Sequence, residues 1–365
     1  MCSAGNAGCD PPGRVTIARR RGLLECTPMI HLRLVTLALF LGLLACLPVG
    51  FVRAADPGDR PLLKPFAQTM AKRVIIAVID GPRRTETWDE PTRQYIPKQA
   101  KELAPQGTLY ADFRNTGFTY TNSGHGALVN GFYQQIENGG HEMLARPGLF
   151  QRFLRATGKG PEAAWLITSK DKLYILGDCS DPEWQGKWNP TLDCGKAGRG
   201  PLGGYRDDRV TLSRVLTVLQ TAPPDLMLIN FKDPDAMGHG KNWPGYLQAI
   251  RDTDMYVSTL WAVIQTDPRL KDSTALLITN DHGRHDEGRA DGYISHGDDC
   301  EGCRKISLLA LGPDFAKGRV VTDQRNQTDL AVTVARMIGI ELTGSQGKVM
   351  DELFVPPLPP KSSAP

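Results

Sequence analysis

Six side chains of this sequence have the types and spacing to hold metal ions: Asp80, Asp235, His239, Asp281, His282 and His296. Asp235 and His239 stand four apart, Asp281 and His282 are adjacent, and His296 lies in the turn Ser295-His-Gly297. Three carboxylates and three imidazoles suffice for two ions that each keep an open position. Mixed Asp/His ligation suits zinc best, with manganese or iron as other candidates. Two such ions, about 3.5–4 Å apart, can clamp the attacking and leaving oxygens of an in-line displacement. The pattern reads as the metal centre of an enzyme.

For these residues to meet, three strands must end side by side. The run Val74–Ile79 stops at Asp80-Gly81, and Leu226–Phe231 leads into Asp233-Pro-Asp235 and on to His239. Within Thr274–Gly283, the run Ala275–Ile278 stops just before Asp281-His282. Apolar runs without alternation read as strands buried on both faces of a parallel sheet. Ligands of such sheets collect outside the carboxyl ends of the strands. One Asp after a strand is commonly a helix N-cap; three, two of them with histidines, exceed that reading.

Further strands are expected at 108–113, 163–167 and 306–311, and helices at 97–103, 150–156, 207–220, 246–265 and 329–338. Strands alternating with helices give an α/β fold, doubly wound, with a mostly parallel central sheet and helices on both faces. Gly117–Tyr133 opens with a Thr/Asn/Ser/Gly cluster, read as a turn that leads into a short helix carrying Ala127, Leu128 and Val129. Residues 175–205 show no period and read as a loop insertion, whose Trp184 and Trp188 could lie over the site and receive a leaving group.

The chain has 365 residues, 41% hydrophobic and 23% charged, which fits a globular domain. Its net charge of +3 is concentrated at the start, where residues 1–54 hold six Arg against Asp10 and Glu25. The remainder is close to neutral, so no basic surface for nucleic acid is implied beyond nucleotides as possible substrates. Met29-Ile-His-Leu-Arg33, the apolar run Leu34–Leu47 and Val52-Arg-Ala54 before Ala55 read as an export signal with its cleavage site. Left uncleaved, Leu34–Val52 is long enough to anchor the chain in a membrane; Leu43-Leu-Ala-Cys46 also resembles a lipoprotein site. The expected layout is an N-terminal extension and signal over 1–54, a hydrolase domain over 55–355 and a Pro-rich tail over 356–365, with a periplasmic or secreted mature protein.

Beyond the signal, four cysteines remain: Cys179, Cys194, Cys300 and Cys303. An even count in an exported chain favours disulfides, and the local pairs Cys179–Cys194 and Cys300–Cys303 are the expected bridges. The competing reading is a zinc site of all four, although only one CxxC knuckle, Cys300-Glu-Gly-Cys303, is present.

Taken in order, VIIAVIDG, Thr-Asn-Ser-Gly-His125, Asp-Ala-Met-Gly-His239, Asn-Asp-His-Gly283 and Ser-His-Gly297 resemble the alkaline phosphatase superfamily. TNSGHGALVNGFY is most similar to its type I phosphodiesterase/nucleotide pyrophosphatase branch. The resemblance spans about residues 73–354 and implies two zinc ions. Asp235, His239 and His296 would hold one; Asp80, Asp281 and His282 would hold the other, with Thr121 bound there as nucleophile. Ser123 is the second candidate nucleophile. Asn138 would steady the non-bridging oxygens, although its spacing from Thr121 departs from the family pattern. His125 would shape the nucleophile segment, and His285 would lie at the rim as a substitute ligand. The activity implied is hydrolysis of a small phosphate ester through a phospho-threonine.

Three other readings accompany it: phosphoryl-group transfer to a cell-envelope acceptor, a sulfatase-like hydrolase, and a zinc-binding protein without catalysis. The Cys/Ser-x-Pro-x-Arg nucleophile motif of sulfatases is absent at position 121. No Arg or Lys adjoins Thr121 in sequence, which favours diesters over monoester dianions. Mature protein is expected to begin near Ala55, and mass spectrometry of its N-terminal peptide checks this.

Overall fold

The structure is a computed structural model that describes residues 70–355 except 199, 201, 202 and 290. The N-terminal extension and signal expected over 1–54, the start of the lead-in that follows and the tail expected over 356–365 lie outside the described residues.

The elements run β1 (Arg73–Ile79), β2 (Thr108–Arg114), α1 (Thr121–Asn130), α2 (Leu149–Thr157), β3 (Ala164–Thr168), β4 (Thr191–Cys194), α3 (Asp208–Thr221) and β5 (Leu226–Phe231). They continue with α4 (Asp233–His239), α5 (Trp243–Thr266), β6 (Thr274–Thr279), α6 (Glu301–Arg304), β7 (Lys305–Leu311), β8 (Arg319–Val321), β9 (Arg325–Asn326) and α7 (Gln327–Met337). Among the described residues the strands form one sheet in the order β4-β3-β5-β1-β6-β7-β2-β8, with β9 also paired to β2. Strands β4, β3, β5, β1 and β6 are mutually parallel. Strand β7 runs antiparallel to both β6 and β2.

The central strands are buried on both faces because alternate residues feed two cores. In β1, Val74, Ile76 and Val78 join the layer with Leu128, Phe150 and Leu330, whereas Ile75, Ala77 and Ile79 face the layer with Val257, Leu260 and Trp261. With apolar partners on both sides, polar residues are displaced to the strand ends. Asp80, the segment after β5 and Asp281 therefore emerge at one edge, since β5 and β6 flank β1 in parallel.

Three sequence expectations are corrected. Thr121 does not sit in a turn before a helix: it is the first residue of α1, and the whole of TNSGHGALVN is helical and buried. The 175–205 segment is not wholly irregular, because Thr191–Cys194 adds an edge strand parallel to β3. The segment is held by Arg206, which donates to Thr168 O and Asp193 O and pairs with the Asp193 carboxylate. Finally, Cys179, Cys194, Cys300 and Cys303 are free thiols, so neither expected bridge is present. Cys179 and Cys194 pack as small apolar side chains in the first core. Nearness in sequence does not set the Cα separation and Cβ directions that a disulfide needs.

Among the described residues no helix is long and apolar enough to cross a membrane. The packing of α1 onto the strand edge is close enough to test. A Cβ at Gly124 would meet Asp281 O at 2.5 Å. Gly124→Ala is expected to destabilise the protein by about 1–3 kcal/mol as α1 is pushed off Asp281, despite the better helix propensity of Ala. Urea unfolding measures the loss.

Candidate metal centre

Each of the three acids is positioned by backbone packed around it. Asp80 follows β1, and Gly81 after it has φ +72°, where a Cβ would press on Arg284 and Asp235. Asp235 and His239 lie one turn apart on α4. Asp281 is held through its carbonyl, which accepts from Asn115 Nδ2 at 2.9 Å and Gln327 Nε2 at 2.6 Å. His296 reaches the site from a loop, its Nδ1 engaged by Thr119 O at 2.8 Å, which leaves Nε2 pointing inward.

The structure brings the six together in two groups. Asp235 Oδ1 lies 3.3 Å from His239 Nε2 and 3.4 Å from His296 Nε2, and the two imidazole nitrogens are 3.1 Å apart. Around His282 Nε2 stand Asp281 Oδ2 at 3.3 Å, Asp80 Oδ1 at 3.6 Å and Thr121 Oγ1 at 3.4 Å. The His282 and His296 rings stack at 3.8 Å and join the groups. Donor atoms around a four-coordinate zinc with bonds of about 2.0–2.1 Å lie roughly 3.3 Å apart, so both groups have the dimensions of a ligand set. Asp80 Oδ1 and Asp281 Oδ2 are buried without a hydrogen-bond partner. Buried carboxylate oxygens facing an imidazole nitrogen without a hydrogen between them are suited to a cation.

The electrostatics agree. Burial and the neighbouring Asp80 push the Asp281 carboxyl up to about 6, while His125 and Lys170 hold it back. Burial on its own would raise Asp235, but Lys170, His239 and Arg284 hold it well below the usual carboxylate range. Burial drives His282 well below its ordinary value and His296 down to about 4, against the pull of Asp235. Neutral imidazoles and ionised carboxylates are the forms that bind metal.

Two cations that sequence reasoning did not assign complete the site. Lys170 is buried, with Nζ 2.9 Å from Asp80 Oδ2, 2.7 Å from Asp235 Oδ2 and 3.0 Å from Thr121 Oγ1. Asp235 and its acidic neighbours raise its pKa despite burial. Arg284, also buried, donates to Asp235 Oδ1 and to the carbonyls of Tyr293 and Ile294. The available signal for Lys170 was its place just past β3, a fourth parallel strand ending at the same edge. No cation adjoins Thr121 in sequence, and Lys170 reaches it from 49 positions away. Lys232 pairs with Asp233 instead.

The remaining expected residues fall as follows. Asn138 Oδ1 accepts from Asn122 N at 3.1 Å, capping α1 beside Thr121. Ser123 Oγ accepts from Ile136 N, a tie away from the ligand groups. His125 Nδ1 meets Thr121 O at 2.9 Å and Asp281 Oδ2 at 3.2 Å, behind the nucleophile segment. Trp184 and Trp188 meet edge-on, and Arg155 of α2 lies over both rings. These contacts seat the pair against α2.

A family model described as type I phosphodiesterase/nucleotide pyrophosphatase matches residues 103–327. A 2,3-bisphosphoglycerate-independent phosphoglycerate mutase of Rhodopseudomonas palustris is 22% identical over 237 residues, 64% of this chain and 41% of that protein. The chain thus spans less than half the length of this curated relative. A solved alkaline phosphatase superfamily protein of Vibrio parahaemolyticus shares the fold with TM-score 0.56 and 14% identity, over 80% of this chain and 73% of that one. Murine ectonucleotide pyrophosphatase/phosphodiesterase 5, an inactive form in complex with AMP, does so with TM-score 0.54 and 15% identity, over 76% and 97%. The doubly wound sheet is accordingly an alkaline phosphatase-like fold.

Asp281 takes up a proton as pH falls through about 6, and a protonated carboxyl is a poor donor to a cation. Zinc affinity is expected to fall below that pH while His282 and His296 stay neutral. Asp281→Asn should flatten this pH dependence and lower bound metal by about one ion per chain. Zinc titration of chelator-treated protein across the pH range reads both effects.

Proposed function

We propose that this chain, which belongs to the type I phosphodiesterase/nucleotide pyrophosphatase family, is an exported hydrolase of phosphate esters that works at a two-metal centre with Thr121 as nucleophile. The observation that carries the reading is the position of Thr121 Oγ1, 3.4 Å from His282 Nε2 and 3.0 Å from Lys170 Nζ, at the first turn of a buried helix. Two divalent ions held by Asp80, Asp281 and His282 and by Asp235, His239 and His296 would supply Lewis acidity and neutralise charge on the phosphoryl group.

The chain's own groups do the rest. Lys170 donates to Thr121 Oγ1 and stabilises negative charge there as the hydroxyl proton leaves. The N-terminus of α1 adds its positive dipole end at the same place. Thr121 Oγ1 attacks phosphorus, the bond to the ester oxygen breaks, and the alcohol departs. Water then cleaves the phospho-threonine and returns the hydroxyl. Asn138, fixed through its Oδ1, has its amide group available for a non-bridging oxygen.

For the substrate we favour diesters. The Lys170 and Arg284 charges are balanced within the site by Asp80, Asp235 and Asp281, so no surplus guanidinium fork awaits a monoester dianion. A cleft of about 520 Å³ lined by Phe118, Tyr133, Gly297, Asp298 and Arg304 borders the segments that carry Thr121 and His296, and suits a second ester group. Export rests on the signal features of Met29–Ala54. The likeness to phosphoglycerate mutases, partial as it is, supports a shared core rather than a shared substrate.

Thr121→Ala should abolish turnover of an aryl phosphodiester while circular dichroism and metal content change little, and Ser123→Ala should be mild. Wild-type protein quenched in acid during turnover should carry phosphate on Thr121 by peptide mass spectrometry. The diester should be turned over with the higher kcat/KM; a monoester about tenfold faster (~1.4 kcal/mol in the barrier) would refute the substrate class and leave the nucleophile assignment standing.

A further inference from the structure

A second group of metal-type side chains lies outside the centre described above. His285, Asp298 and Cys303 each offer a donor atom, and the three atoms lie within 4.8 Å of one another. Cys300 stands in the same turn, its carbonyl accepting from Cys303 N at 3.1 Å. Backbone pairing builds the group. Gly283 N donates to Cys303 O and Arg284 N to Gly302 O, which lays His285 beside the Cys300–Cys303 turn. Cys300 N donates to Asp298 Oδ1 at 3.0 Å.

The imidazole marks this as a ligand site. His285 is 9% exposed, and its Nδ1 is 2.8 Å from Asp291 Oδ1. Its Nε2 is buried without a hydrogen-bond partner. A carboxylate on one ring nitrogen fixes the tautomer and makes the other nitrogen a better donor to metal, as in histidines that ligate zinc. That lone pair faces Asp298 Oδ2 at 3.6 Å, beyond hydrogen-bond reach. An acceptor facing an acceptor in a buried place calls for a cation between them. Arg289 also pairs with Asp298 Oδ2; a carboxylate oxygen has a second lone pair, and ligating carboxylates are themselves hydrogen-bonded.

We infer that His285, Asp298, Cys300 and Cys303 form a third metal site, a closed set of two thiolates, one imidazole and one carboxylate that takes zinc as a structural ion. Binding releases the two thiol protons to solvent. The ligands bracket His296 in the chain, one before it and three after it. An ion there ties together both ends of the loop that brings His296 to Asp235 and His239. The site positions a ligand of the reaction centre and touches no reacting atom.

Holoprotein purified without chelator should contain about three zinc ions per chain, two at the reaction centre and one here. Cys300→Ser/Cys303→Ser should lose one ion and keep the other two. The cobalt-exchanged wild type should show thiolate-to-cobalt charge-transfer absorption, which a centre of carboxylates and imidazoles cannot give, and the double variant should lack it. Should the double variant fail to fold, the wild-type cobalt spectrum decides by itself. A cobalt form without that absorption overturns the inference, and so does a Cys300–Cys303 disulfide found by non-reducing peptide mapping of the metal-replete protein. Neither result touches the assignment of Thr121 or its metal ligands.

Discussion

The molecule is built around the mutual repulsion of three buried carboxylates. Asp80, Asp235 and Asp281 are withdrawn from water at one sheet edge, where ionised groups cost several kcal/mol each unless compensated. Lys170 and Arg284 are drawn into the same space, and both are buried because only these acids compensate them. The raised Asp281 carboxyl and the oxygens of Asp80 and Asp281 that lack a hydrogen bond show that the two protein cations do not complete the balance. Remaining negative charge, together with neutral imidazoles at tetrahedral-edge distances, is the environment that would attract a divalent ion.

This requirement explains the surrounding packing. The acids must be rigid, since donor atoms that drift by an ångström no longer define a site. Asp281 is therefore held through its carbonyl by Asn115 and Gln327, the latter at the start of α7. Glycine at 124 lets α1 lie against that carbonyl, so Thr121 arrives next to His282 rather than a side chain's width away. The His296 loop is fastened where it meets α1, with His296 Nδ1 on Thr119 O and Thr119 Oγ1 on Asp298 O. The candidate nucleophile and the candidate ligands are thus positioned by one connected set of contacts.

The hydrophobic layers enforce the arrangement from below. Strands β5, β1 and β6 are buried on both faces, so a one-residue slip of register would not merely exchange inside for outside but would drive Asp80 or Asp281 into apolar surroundings. Register and site geometry are in this way coupled, and the sheet cannot relax without separating the ligands.

Much of this was legible in the sequence. Unbroken apolar runs are a local property of the chain, so Val74–Ile79, Leu226–Phe231 and Thr274–Thr279 could be read as buried parallel strands and their ends as a shared edge. The six metal-type residues were picked out by residue type and order along the chain, whereas Thr121 was named through the family resemblance. Lys170 was not legible, because its meeting with Thr121, 49 positions away, depends on β3 and β5 pairing in parallel. Nor could spacing settle the cysteines: a local pair in sequence became two packed thiols in one case and part of a His/Asp/Cys cluster in the other. The sequence alone determined which chemical groups arrive at the strand ends, since pattern and period are written into consecutive residues. Which of them face one another, and which cations stand between, was decided only by tertiary packing, where side-chain direction and distance are set by elements far apart in the chain.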